Sequence, residues 1–317
     1  MYNARWWNTG RTDLVPLSDP FTQPARPASG ISDESQAHLP PLYTPTTDFF
    51  RQQMRPTPAV NRDYWSLMLG GLVSVPVMLS YADLLEHPPV EQACVLTCLG
   101  GRADGPLVAS GRWLGVPLRA LLAEAGASGA ARHAHLHAAD GYVTSVPLEW
   151  AQNALLAYRL NDAPLPPEHG GPVRLLVPGL YGYKMPKWIQ RIILAQDPLP
   201  GPWEQRGWPA VGAIQVITAI HTPRHLEPVR GPVRLTGIAY AGSRTVTRVE
   251  VSVENGPWTP VERLVGPPGA WVRWHALWAP PAPGDYRLSA RATDETGGVQ
   301  PEAGAAAAHT IVMRVSG

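Results

Sequence analysis

Cysteine is nearly absent from this chain, at two in 317 residues. Two thiols cannot build a disulfide framework, so cysteine usage fixes no compartment. Charge is scarce as well: Asp, Glu, Lys and Arg make up 16% of the residues and the formal net charge is +1, against roughly 25% charged residues in an average globular chain. No whole-chain attraction to nucleic acid or to an acidic membrane follows from such a balance. Long apolar runs are missing too, and none approaches the roughly 20 residues of a helical membrane span. The opening MYNARWWNTGRTD has neither a signal-peptide apolar core nor a twin arginine, giving the expectation of a cytoplasmic protein if the chain is complete, and a periplasmic one if an export signal has been removed. Proline, in contrast, is abundant at 36 residues. Because it breaks helix interiors and central strands, it excludes long helical bundles and predicts short elements joined by loops.

The texture divides the chain into three parts. Residues 1–46, with prolines at 16, 20, 24, 27, 40, 41 and 45 and no period, read as an extended arm. Its candidate anchors are Trp6 and Trp7, since buried aromatic area is what could hold such a segment down. Residues 47–200 mix short helices and strands. Tyr64 to Gly71 alternates as a strand into a turn, and Leu72 to Leu79 reads as a proline-limited strand. Ser80 with Asp83 forms the pattern of a capping box opening a helix over Tyr81 to Glu86, stopped by Pro88 and Pro89. Arg119 to Ala125 reads as a second helix, entered through Pro117 and ended by Gly126. Beyond the proline-rich stretch Pro198 to Pro209, residues 201–317 are purely β in pattern. Val246 to Glu254 alternates strictly and meets a hairpin turn at Asn255-Gly256; Trp271 to Trp278, Tyr286 to Ala292 and Thr310 to Val315 complete a set spaced like a sandwich.

Chemistry concentrates in two stretches of the middle part. Val95-Leu-Thr-Cys-Leu-Gly-Gly-Arg102 reads as a buried strand running into a glycine turn, placing Cys98 at a strand end with Arg102 beyond it. A thiolate there could ligate a soft metal, although a lone cysteine is more often a core residue. Cys94 lies four residues earlier, on the same strand face and ~13 Å away. The second stretch carries His169, Arg174, Lys184 and Lys187 at the ends of apolar strands. Donors of this kind, if gathered, suit a phosphate or another anion. Arg51 and Arg55 lie four apart and would share a face if their segment were helical. His133, His135 and His137 alternate along a strand and face one side, a polar strand face rather than a zinc site, since nothing nearby completes the ligand set.

Taken in order, FFRQQMRP, VLTCLGGR, GRWLGVPLRALL, LAYRLNDAPLPPEHGGPVRLLVPGLYGYKMPKWI and RATDETGGVQP resemble the sulfite oxidase family of molybdopterin enzymes, from about residue 47 to the C-terminus. The resemblance implies an α+β chain: a mixed sulfite-oxidase-type molybdopterin domain followed by an all-β immunoglobulin-like sandwich that forms a homodimer contact. It implies molybdenum held by the dithiolene of one molybdopterin and by Cys98. It matches His169, Arg174 and Lys187 to pterin contacts, Lys184 to a further basic contact, and Arg51 to an arginine facing the substrate oxyanion. Arg102 takes the place of an arginine that follows the ligand cysteine. The implied activity is a two-electron oxygen-atom transfer on a small oxyanion or oxide, with a separate electron partner, a cytochrome, because no haem-attachment CxxCH is present. Two departures fall on the substrate side: Gln52 and Gln53 stand where the family has asparagine and histidine, and Leu199 to Trp203 lacks the tyrosine expected there. The alternative reading is a noncatalytic β-sandwich interaction protein whose cysteine domain is only scaffold.

Overall fold

The computed structural model describes residues 39–99, 105–264, 266–301 and 307–316. Arg102, Trp6, Trp7 and most of the expected N-terminal arm lie outside them. Strands dominate the described residues, and the three α-helices are short: α1 Tyr81–Glu86, α2 Leu118–Glu124 and α3 Leu148–Ala151. The expected α+β class is thus realised with little α. Proline limits the helices, preceding α2 and α3 at Pro117 and Pro147 and following α1 at Pro88 and Pro89. The capping box at α1 is formed as the sequence predicts, Ser80 accepting from the Asp83 backbone while the Asp83 carboxylate accepts from the Ser80 N–H.

Two compact units emerge. Among the described residues the first comprises 51–92 and 112–213, and the second comprises 39–50, 93–99, 105–111 and 214 onward. The division therefore falls between Ala213 and Ile214, beyond the proline-rich stretch, and three earlier described segments join the C-terminal unit.

The strands of the first half are β1 Ser66–Gly71, β2 Val77–Ser80, β3 Val90–Thr97, β4 Val108–Pro117, β5 His133–Ala138, β6 Val143–Pro147, β7 Leu155–Leu160, β8 Ala163–Pro164, β9 Arg174–Leu176 and β10 Ile189–Ala195. One sheet has the order β2-β1-β10-β5-β6, with β1 and β10 parallel and the other pairs antiparallel. Its apolar positions alternate as a half-buried sheet requires: in β5, Ala134, Leu136 and Ala138 are buried while His133, His135 and His137 share the other, half-buried face. The segment expected as a strand from Leu72 is β only from Val77; before it, Leu72 N–H and Ser128 N–H bond to Leu194 O and Leu72 O in a loop. A second sheet runs β3-β4-β7-β8, with β9 also on β7. Gly115 makes the β4–β7 approach possible, because a Cβ there would meet Leu156 O at 2.3 Å, at the point where the register shifts.

The second unit contains β11 Ile217–Thr222, β12 Pro228–Val229, β13 Val233–Tyr240, β14 Val246–Val253, β15 Thr259–Pro260, β16 Glu262–Leu264, β17 Val272–Trp278, β18 Gly284–Asp294 and β19 His309–Val315. They form two sheets, β11-β13-β17-β16 and β12-β19-β18-β14-β15. Both contribute inward residues, among them Leu235, Trp274, Val249, Leu288 and Met313, to one core, each fully buried aliphatic side chain contributing ~1.5–3 kcal/mol. The β14–β15 turn sits one residue earlier than Asn255-Gly256 predicts: Glu254 and Asn255 take the positive φ values, and Gly256 N–H closes the turn on Val253 O. Both central residues with φ above zero is the condition for a turn that matches strand twist. Within this unit the described end of the arm is tied by Trp271 Nε1 to Pro41 O at 3.0 Å, with Leu39 and Phe49 buried.

Candidate functional site

The anion-site residues come together in the first unit through a tight loop and a strained one. Pro167–His169 forms a 3-10 turn ended by Gly170 at φ +108°. A Cβ at Gly170 would meet Arg174 Cβ at 2.9 Å and Lys187 Cβ at 3.0 Å, so the glycine is what lets those two cationic residues flank the turn. The next loop carries Gly182–Lys184 in a second 3-10 turn and ends at Trp188, which has φ +50° despite its bulk. Backbone bonds hold it: Leu175 N–H to Pro186 O, Trp188 N–H to Gly170 O and Ile189 N–H to Val173 O. The Trp188 indole adds Nε1–H to Pro167 O at 2.7 Å.

Four cationic or imidazole side chains converge on these loops. Arg174, 5% exposed, donates to His169 O at 3.0 Å and Met185 O at 3.2 Å and lies over the Trp113 ring of β4. His169 is 2% exposed. Lys187 donates to Glu168 O at 2.6 Å and to Gln53 Oε1 at 3.2 Å, which leaves one ammonium N–H without an acceptor among the described residues. Arg51, 59% exposed, pairs with Glu168 at 3.2 Å. The 51–55 segment is not helical, so the helical-face geometry for Arg51 and Arg55 is not realised; Arg55 instead donates to Asp140 O at 2.6 Å.

Electrostatically the group is crowded with like charge. Burial, then Arg174, pull the Lys187 ammonium down to about 7, with Arg51 adding to the pull and Asp140 and Glu168 opposing it. Burial, Arg174, Lys187 and Arg51 push the His169 imidazolium down to about 4, so it is neutral at pH 7. A site that disfavours its own cations in this way favours an incoming anion, which would restore them.

Lys184 stands apart from this group. Its ammonium, 1% exposed, donates to Glu204 Oε1, to Ser145 O at 2.8 Å and to Thr144 Oγ1 at 3.3 Å. Cys98, in the second unit, follows the end of β3 half-buried, its N–H bonded to Leu107 O at 3.1 Å. Cys94 is 2% exposed among the core residues, as a core thiol should be. Glu168, Asp140 and Trp113 were not singled out by sequence reasoning. Glu168 directly precedes His169 in PPEHGG and could have been found there; Asp140 and Trp113 reach the group only through the fold. Among the described residues no cluster of three or more His, Cys, Asp or Glu could hold a metal; the three strand histidines share the half-buried face of β5. Their His135 bonds Asp197 O at 2.7 Å.

Residues 54–203 match the model of the oxidoreductase molybdopterin binding domain. The chain is 28% identical to the sulfite oxidase of Gallus gallus over 90% of its own length and 76% of that protein. It is 35% identical to the uncharacterized oxidoreductase YuiH of Bacillus subtilis (strain 168), over 56% of this chain and 88% of that one. Among solved structures it is similar to the sulfane dehydrogenase SoxCD of Paracoccus pantotrophus, with a TM-score of 0.71 and 26% identity, covering 79% of this chain and 72% of the other. The chain belongs to the sulfite oxidase family of molybdopterin-dependent oxidoreductases. It spans 64% to 76% of the length of the animal sulfite oxidases it matches. The cofactor of this family is molybdenum bound by molybdopterin, and the residues present fit it: a buried, under-neutralised set of donors for a phosphate-bearing pterin, and a half-buried thiol of the soft class that molybdenum accepts. No described helix is long and apolar enough to cross a membrane.

Proposed function

We propose that this molybdopterin-dependent oxidoreductase carries out two-electron oxygen-atom transfer on a small oxyanion or oxide. The observation that carries the reading is the converging set His169, Arg174 and Lys187, in which burial and the neighbouring cations disfavour the charged forms of His169 and Lys187. When bound, molybdenum with its pterin supplies the two-electron redox chemistry. Arg174 and Lys187 would hold the pterin phosphate, Lys187 with its remaining N–H and Arg174 with a guanidinium already fixed by two carbonyls and the Trp113 face. His169, neutral at pH 7, would serve as a hydrogen-bonding partner rather than a charge. Cys98 is the proposed metal ligand, leaving Cys94 to the core. Arg51 is exposed and only partly compensated by Glu168, so it can meet an anionic substrate and offset charge that grows during transfer. Arg102 is proposed as a second such cation.

The second unit supports an immunoglobulin-like sandwich as its class, through two sheets about one core that are antiparallel except where β12 joins β19 in parallel, and on that reading it forms a homodimer contact. Electrons leave or enter through a separate partner, a cytochrome. Sulfite is expected to be a weak substrate, because Gln53 holds Lys187 where the family has a histidine, and Leu199 to Trp203 offers no tyrosine. The test is steady-state turnover of the purified protein with sulfite, nitrate and a sulfoxide, using artificial electron carriers. Turnover of one of them by molybdenum-loaded protein is expected; rapid saturable oxidation at micromolar sulfite would contradict the pocket reading, and no turnover with any would contradict oxygen-atom transfer.

A further inference from the structure

Lys184 and Lys187 are three residues apart on the same loop and burial pulls both ammonium groups down, yet of the two only Lys184 hydrogen-bonds a carboxylate that opposes the shift. The three ammonium protons of Lys184 are matched by three acceptors, Glu204 Oε1, Ser145 O and Thr144 Oγ1, and Thr144 Oγ1–H donates in turn to Glu204 Oε1 at 2.5 Å. No donor of Lys184 is left for an incoming anion. The Glu204 side chain is itself only 5% exposed, and its Oε2 has no hydrogen-bond partner among the described residues. Among the described residues its carboxylate is held in place by Lys184 and Thr144 alone, so removing one charge of this buried pair leaves the other uncompensated.

Glu204 belongs to the 3-10 turn Glu204–Arg206, on the segment after β10. That segment clasps the loop at several further points. Tyr183 donates its hydroxyl to Pro209 O at 2.5 Å and meets the Trp208 ring edge-on, while Trp208 stacks on Trp203. Tyr181 N–H bonds to Gly212 O at 2.8 Å, and Leu199 N–H to Ser145 Oγ at 2.8 Å. The clasp therefore covers Tyr181 to Lys184, the residues that lead directly into Lys187 and the strained Trp188.

We propose that Glu204 is a positioning residue for the molybdopterin-binding loop: it takes up the charge of Lys184, so that Lys184 pins the loop and makes no contact with the cofactor. This rests on the reading of Lys187 as a cofactor anchor. The consequence is a division of labour along one loop, with Lys184 neutralised to hold position and Lys187 left under-neutralised to bind.

The experiment uses the full chain loaded with cofactor and follows the rate at which pterin is lost, at a temperature well below unfolding, where a change in global stability alone would not alter it. Lys184→Met and Glu204→Gln, each leaving one buried charge unpaired, are expected to speed pterin loss about tenfold, the scale on which supporting contacts to a bound group act. The double variant Lys184→Met/Glu204→Gln removes both charges and is expected to return to within about twofold of the parent. It also keeps the test decisive if a single variant fails to fold. A double variant that loses pterin as fast as Lys184→Met would mean that Lys184 touches the cofactor itself, and unchanged rates in both single variants would equally overturn the proposal. Lys187→Met serves as the direct-contact reference and is expected to lose pterin rapidly. Full retention in Lys187→Met would overturn the anchor reading instead, a pattern distinct from either failure of the Lys184–Glu204 pair.

Discussion

Buried charge is handled differently in the His169–Arg174–Lys187 cluster of the first unit and at Glu250 and Asp294 of the second. In the second, Glu250 is paired with Arg291 at 2.9 Å and Arg248 at 3.5 Å. Asp294 is paired with Arg244 at 2.8 Å and accepts from Thr296 and Gly298. Burial pushes the Asp294 carboxyl up, but Thr296, Arg244 and Gly298 together hold it below the usual carboxylate range. Those charges are satisfied within the fold and stabilise it. Around His169, Arg174 and Lys187 the balance is the reverse, with burial and like charges driving two of the three groups toward their neutral forms. A neutralised buried charge is a folding device, and an under-neutralised cluster is a binding one; the contrast separates the residues that build this protein from those that do its chemistry.

The largest expected effect tests Cys98, the proposed metal ligand. Cys98→Ser replaces a soft thiolate donor by a harder oxygen, and is expected to retain pterin through the separate anchors while losing turnover and the thiolate-to-metal charge-transfer absorption. Cys94→Ser is expected to keep both, with some loss of stability from a polar group in the core. Visible absorption of the two variants checks this, and the reversed pattern would move the ligand to Cys94.

Next in size is Arg174→Ala, which removes a charged contact to a buried anion, a loss on the order of 1.5–3 kcal/mol. The dissociation constant for the pterin should rise by roughly one to two orders of magnitude, read as a lower pterin content per chain. Full occupancy would erase the distinction drawn between the two units.

The pH dependence of stability sharpens the same point. The Lys187 ammonium is depressed to about 7 in the fold, against roughly 10.4 in an unfolded chain. Below pH 7 both states are protonated and the penalty is fully present; between 7 and 10 the unfolded chain binds the extra proton, so stability rises with pH. For cofactor-free protein the Lys187 share of that rise is roughly 2 kcal/mol between pH 7 and 9. Denaturant titrations should show it, and Lys187→Met or a bound anion should remove it. The smallest effect belongs to the satisfied side: Glu250→Gln is expected to cost about 1 kcal/mol of stability and to leave pterin occupancy unchanged.

Much of this was legible in the sequence where a local rule sufficed. The helix at Tyr81–Glu86 follows from its capping box, and the alternating valines of β14 follow from strand periodicity. Ordered motifs placed His169, Arg174 and Lys187 in one site, and the fold brings them together around Gly170. What the sequence withheld depends on distant pairing. Glu204 lies 20 residues beyond Lys184 in a proline-rich stretch that has no period, so nothing local marks it as the counterion that turns Lys184 inward. Asp140 and Trp113 reach Arg55 and Arg174 through separate strands and turns, and Arg51 and Arg55 reach their partners from an irregular segment rather than a helix face. The early end of the β14–β15 turn has a similar origin, since the twist of the paired strands set the turn at Glu254-Asn255 rather than at the Asn-Gly pair.

The central claim is that the under-neutralised cluster of the first unit exists to hold a molybdenum cofactor. The most direct measurement is the molybdenum and pterin content of the full chain, purified from a host that makes the cofactor. One molybdenum and one pterin per chain are predicted. A colourless, metal-free protein from such a host would contradict the account and favour a noncatalytic scaffold.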